Sequence, residues 1–247
     1  MRRSPLTLPR VFLLAGLASL AVGTAAGPRT PQRSLRAAVS AGSAVDAAAP
    51  VKTYGSRGAP ITMEVFTDYE CPTCRALFLE TLRPMIASYV ATGKVYLVHH
   101  DFPLPPPMHH YSGQAARWAN AAARAGEFQA VETVLYENQP ALEANADLER
   151  YVASAMPPEA FKRVQRQMQG CTAPGPTADP TGVNFSPSRA TCPLDAYIEQ
   201  DILMGNRIPI SATPTYVITY KGHRLPASAG FVSWPILKQF FDSLLSQ

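Results

Sequence analysis

The chain has 247 residues, 47% of them hydrophobic and 16% charged, with a formal net charge of +4. That length and apolar content suit one globular domain with a sizeable core and room for an inserted subdomain. Part of the positive charge sits in Arg2, Arg3 and Arg10, and no basic stripe with interleaved aromatics follows, which argues against nucleic acid as a partner.

Arg2, Arg3 and Arg10 precede the uncharged, mostly apolar run 11–26, and small residues cluster from Gly23 to Gly27. This is the pattern of a secretory signal over residues 1–26, cleaved after Ala25 or Ala26, and it predicts an exported, periplasmic or extracytoplasmic protein. Left uncleaved, the run would serve as an anchor, although it is short for a span of roughly 20 residues. Residues 27–57 are rich in Ala, Pro, Ser, Gly and Arg and are expected to form a flexible linker, leaving 58–247 as the folded domain.

Within that domain the β-branched run 61–66 reads as a strand. Pro72 then suits the first position of a helix. Leu77, Phe78, Leu82, Ile86, Tyr89 and Val90 continue it at nearly 3.6-residue spacing towards Gly93, with a possible kink at Pro84. A second strand at 95–98 completes a strand–helix–strand unit, which implies parallel pairing. After the Pro-rich turn 103–107, an Ala-rich helix around 115–123, a second around 128–136, and two more at 147–156 and 158–168 are expected. Residues 171–192 have loop chemistry throughout, and a loop of that length implies that it is tied down or functional. A helix over 194–205, a strand over 215–220, a fourth strand over 224–231 and an amphipathic closing helix over 234–245 finish the chain.

The chemistry centres on Cys71-Pro72-Thr73-Cys74, which follows a strand and opens a helix. Unpaired N–H groups and the macrodipole at a helix start favour an anion, so Cys71 is expected to carry a lowered pKa and act as the attacking thiolate. Cys74, one turn inward, is placed to form or resolve a disulfide. Two other readings compete: half of a four-cysteine metal site, for which no second Cys-x-x-Cys exists, and a short-range structural disulfide. The strand–Cys-x-x-Cys–helix context favours redox chemistry with no metal and no cofactor. Arg75 adds positive potential or is simply solvated. Pro214, entering a strand after Thr213, demands explanation because proline cannot donate to a ladder, and a cis Thr213–Pro214 bond is one answer. His99, His100, His109 and His110 form adjacent pairs that chelate poorly on a strand and read as solvated or hydrogen-bonded. Trp118 and Trp234 fall on helical patterns as core or groove lining.

The segment from Phe66 to Cys74 resembles the active-site segment of DsbA-like thioredoxin-fold proteins. His100-Asp101-Phe102-Pro103-Leu104 resembles the segment after their second strand. The Ala-rich helix, Gly126-Glu127-Phe128 and Leu135-Tyr136-Glu137-Asn138-Gln139 resemble their helical insertion, and Ile208 to Thr215 their approach to a cis-proline. The resemblance spans roughly 55–245. It implies an α/β thioredoxin fold, with a core over about 58–108 and 206–247 interrupted by a helical insertion over about 109–205. It also implies thiol exchange with exported proteins, a membrane redox partner, Pro214 facing Cys71, and Thr213 backbone pairing with a substrate strand by β-augmentation. Reductase or isomerase activity, and non-catalytic Cu(I) binding through the two thiols, are the alternatives to disulfide formation.

Two departures from the family stand out. The acidic residue that many members carry six positions before the first cysteine is Val65 here, and the nearest acid, Glu64, should face the other side of its strand unless a bulge intervenes. Pro72 and Thr73 also lack the histidine that DsbA itself places between the cysteines, which leaves the direction of exchange open. Cys171 and Cys192 are expected to form a structural disulfide closing the Pro-rich loop, the alternative being a second redox pair that relays electrons.

Overall fold

The structure is a computed structural model that describes residues 52–171, 174–178 and 192–247. The expected signal and most of the expected linker lie outside the described residues.

A mixed sheet runs in the order β1 (Thr53–Tyr54), β3 (Val95–Asp101), β2 (Ile61–Thr67), β4 (Thr215–Tyr220) and β5 (His223–Arg224), with β6 (Ser228–Ala229) also pairing to β4. Its centre is β2, parallel to β3 and antiparallel to β4. β2 and β3 are joined by one helical stretch, which gives the parallel pair. It is α-helical at Pro72–Leu77 (α1) and Arg83–Met85 (α2), and π-helical at Phe78–Leu82 and Ile86–Val90. The wider turns flank Pro84, whose missing N–H cannot serve an ordinary helical ladder.

The linker expectation is corrected at its C-terminal end. Thr53–Tyr54 forms β1, antiparallel to β3, and Lys52 is buried. Composition pointed to a linker because the partners that order this segment are remote: Asp101 and Asp201 for Lys52, and Glu132 for the Tyr54 hydroxyl. The expected fourth strand is two short pieces, β5 (His223–Arg224) and β6 (Ser228–Ala229). Pro226 lies between them and cannot donate to a ladder.

Between β3 and β4 the chain folds into helices: α3 (Ser112–Ala125), α4 (Phe128–Glu137), α5 (Gln139–Asn145), α6 (Leu148–Ser154), α7 (Pro158–Gln167) and α8 (Asp195–Arg207). The buried alanines 115, 116, 119, 121 and 122 let α3 approach α4 and α7 closely. Gly126, at φ 79°, ends α3 in the left-handed conformation that glycine adopts without strain. α9 (Trp234–Leu245) closes the chain.

The two faces of the sheet bury separate clusters. Met63 and Val65 join the cluster that contains both Cys71 and Cys74, whereas Phe66 packs with Phe102, Ile198 and Ile202. α8 can lie this close to β3 because Gly205 has no side chain, and a Cβ there would stand 2.6 Å from the Phe102 ring. Trp118 is buried against Phe161, and Trp234 meets Tyr89 edge-on.

Candidate active site

Strand β2 delivers the chain to a turn, and Cys71 caps the helix that follows, with extended φ/ψ of −73° and 117° and Pro72 behind it. This is the geometry in which proline is accepted at a helix start. Cys71 and Cys74 are free and buried, at 7% and 1% exposure, while Pro72 and Thr73 between them are exposed. The register pairs Phe66 with Thr215, which brings the segment before β4 alongside the end of β2. The Thr213–Pro214 peptide is cis, and the Cys71 thiol donates to the Thr213 carbonyl at 3.3 Å. Two further bonds fix this segment: the Thr215 hydroxyl donates to the Ala212 carbonyl at 2.7 Å, and the Gly230 N–H to the Pro214 carbonyl at 2.8 Å.

The two thiols are driven apart electrostatically. A hydrogen bond from the Cys74 thiol, helped by Thr213 and the Cys74 backbone N–H, lowers Cys71 to about 6, against burial and the charge of Asp68. Burial, and then the Cys71 sulfur itself, push Cys74 well above its ordinary value. The pair therefore holds one accessible proton state and one suppressed one: a thiolate at the helix start, with a neutral thiol donating to it from the interior.

Residue reading overlooked the groups that hold this turn. Asp68 accepts from the Glu70 N–H at 2.7 Å and the Leu104 N–H at 2.6 Å. The Glu70 carboxylate receives the N–H groups of His110 at 2.8 Å and of Tyr111 and Ser112 at 2.7 Å, capping the start of α3. Gln139 donates to the Tyr69 carbonyl at 2.7 Å and the Cys71 carbonyl at 3.2 Å. Arg75 donates to the Tyr136 carbonyl at 2.9 Å, so it ties the helix to the insertion rather than simply facing solvent. The signal available in the sequence was the pair of acids at alternate positions immediately before Cys71. Their partners outside the turn come from one remote stretch, residues 104–112.

The displaced acid behaves as strand alternation requires. Glu64 sits in unbroken register on the face away from Val65, 3.4 Å from His100 Nε2 and 3.6 Å from Arg224. The buried acid on the cysteine face comes instead from α4. Glu132 pairs with His99 Nδ1 at 2.6 Å, and His99 Nε2 lies 3.0 Å from the Thr67 hydroxyl. Against burial, which would lower it, Glu132 and Asp101 hold His99 up at about 9. Tyr136 donates to the same Thr67 hydroxyl at 2.9 Å, and the Tyr69 ring stacks on His99 and meets the Tyr136 ring at a tilt. His100, on the opposite face, pairs with Asp201 at 2.7 Å. Neighbouring histidines thus point apart and bind different acids. Cys171 and Cys192 are joined in a disulfide that closes the Pro-rich segment.

A free dithiol at the start of a helix faces a cis-proline that leads into a central strand of a thioredoxin-type sheet. Residues 49–228 match the family described as Thioredoxin, and the chain belongs to that family. Among solved structures, the fold is shared with alpha-DsbA1 of Wolbachia pipientis: TM-score 0.58, 17% identity, 79% of this chain and 90% of that one. It is shared too with the catalytic domain of ScsC from Proteus mirabilis: TM-score 0.51, 18% identity, 79% of this chain and 89% of that one. A thioredoxin-like oxidoreductase from Silicibacter pomeroyi is similar at TM-score 0.50 and 22% identity, over 79% and 92% of the two chains. These likenesses establish a DsbA-like fold with a helical insertion. A curated relative, the Na(+)/H(+) antiporter NhaA 3 of Salinispora tropica, is 25% identical over 192 residues, 77% of this chain. The match spans only 25% of that protein's length.

Proposed function

We propose that the chain is an exported thiol–disulfide oxidoreductase that forms disulfides in other exported proteins through Cys71 and Cys74. The observation that carries the reading is the placement of the free Cys71 at a helix start, 3.3 Å from the carbonyl that precedes cis-Pro214, with Cys74 buried one turn inward; this setting draws Cys71 down to about 6 while burial pushes Cys74 up. A thiolate stabilised in the reduced form makes the disulfide form a better oxidant, because reduction then yields the more stable state.

In the oxidised protein a substrate thiolate attacks the Cys71 sulfur. The Cys71–Cys74 bond breaks, Cys74 leaves with the electron pair, and it takes up a proton in its buried site. A second substrate thiolate then attacks the substrate sulfur of the mixed disulfide, forming the new disulfide and releasing Cys71 as a thiolate. Two electrons pass from substrate to enzyme. A membrane redox partner that presents a disulfide, coupled to quinone, restores the pair. Thr213, whose carbonyl already accepts from Cys71, is the backbone group offered to an extended substrate segment. Pro72 and Thr73, exposed beside the sulfur, line its approach.

Equilibration in glutathione buffers, with alkylation resolving this pair from Cys171–Cys192, tests the direction. A potential near about −120 mV supports disulfide formation, and one near about −270 mV assigns the same residues to reduction. Cys71→Ser should abolish oxidative folding of a reduced substrate, and retained activity would remove Cys71 from the mechanism.

A further inference from the structure

The exchange step leaves two carboxylates of the active-site turn without a part. Glu70 is met by the start of α3, a 14-residue helix whose first N–H groups and dipole offset its charge. Asp68 is different. It lies three residues before Cys71, is 1% exposed, and its backbone carbonyl accepts the Cys71 N–H at 3.2 Å. Neutral donors surround its carboxylate: the Glu70 and Leu104 N–H groups and the Ser112 hydroxyl. The cation paired with it among the described residues is His109, whose Nδ1 stands 2.6 Å from Oδ2 and whose side chain is only 11% exposed. His109 comes from the loop that follows β3, not from the turn that bears the cysteines.

We propose that His109 is a positioning residue for the Cys71 thiolate: by pairing with Asp68 it cancels a buried negative charge in the turn that carries the sulfur. The inference rests on the reading of Cys71–Cys74 as the exchanging pair. A carboxylate buried beside a thiol opposes formation of a second anion. The Asp68 charge does push both Cys71 and Cys74 upward. The groups facing His109 are Asp68, Glu70 and Cys71, all acids, and against burial they raise the imidazole above its ordinary value. Its positive charge is therefore present when the thiolate forms. The imidazole reaches the turn through Asp68 from a separate loop, rather than from the dipeptide between the cysteines.

The test compares wild type with His109→Gln, His109→Lys and the double variant Asp68→Asn/His109→Gln. Cys71 is titrated by thiolate absorbance and by iodoacetamide alkylation across pH. Removing the cation should move the midpoint up by about one unit, lowering the alkylation rate about tenfold on the acid side of the titration. The alkaline plateau should stay unchanged, because access to the sulfur is unaltered. His109→Lys, which keeps the charge, and the double variant, which removes both charges, should return towards the wild-type midpoint. A lowered plateau in place of a shifted midpoint would assign His109 a merely structural role, and an unmoved midpoint, or a shift that the double variant fails to reverse, would overturn the proposal. Equilibration with glutathione separates the two levels. Failure of Cys71 and Cys74 to form a disulfide in any variant refutes the exchange reading. A disulfide that forms in His109→Gln with the wild-type constant refutes only the role of His109.

Discussion

Replacing Cys74 with alanine or with serine separates the hydrogen bond that Cys74 gives from everything else that acts on Cys71. The largest influence holding Cys71 at about 6 is the hydrogen bond from the Cys74 thiol. A hydrogen bond to a charged group contributes about 1.5–3 kcal/mol, and each unit of pKa corresponds to about 1.4 kcal/mol. Alanine, which removes the donor, should therefore raise Cys71 by about one to two units. At pH 7 the thiolate fraction would fall from about nine-tenths to between about one-half and one-tenth. Serine keeps a donor of similar size at the same buried position and should leave Cys71 close to its original midpoint. The assay is the pH dependence of iodoacetamide alkylation at Cys71, followed by mass, with both variants checked for an unchanged fold by circular dichroism. An alanine variant that still titrates near 6 would mean that the backbone N–H groups and Thr213 suffice, and the account of the lowered thiol would be wrong.

Other consequences concern the buried charges. His99 is held at about 9 against an ordinary 6.5, so its charge contributes stability fully below about pH 6.5 and loses it as pH rises through about 9. In the oxidised protein, where Cys71 and Cys74 do not titrate, the melting temperature should decline across that window, and Glu132→Gln should flatten the decline; equal slopes in the two proteins would refute the linkage. Lys52→Met leaves Asp101 and Asp201 buried beside an apolar group and should cost about 3–5 kcal/mol in urea unfolding, far more than loss of a surface lysine. Replacing both Cys171 and Cys192 by serine should lower stability by about 3 kcal/mol and leave the Cys71 titration unmoved. A changed Cys71–Cys74 potential in that variant would instead favour electron relay between the pairs.

The parts of this molecule that its sequence determined are those written in local pattern. The β-branched run of β2, the proline after Cys71 and the 3.6-residue spacing beyond it placed the dithiol at a helix start, because strand, cap and helix are each set by near neighbours. Strand alternation likewise placed Glu64 on the face away from Val65, since a one-residue offset leaves no choice in an unbulged strand. Tertiary structure decided what depends on remote partners. Thr53–Tyr54 became a strand because β3 offered an edge and because Lys52 could reach two carboxylates, one of them on α8. The buried acid on the cysteine face came from α4 as Glu132, and the cation beside Asp68 from the loop after β3 as His109. No composition or periodicity encodes such pairs. A charge enters a protein interior where folding delivers an opposite charge or a set of hydrogen-bond partners to it, and that delivery is a property of the assembled chain.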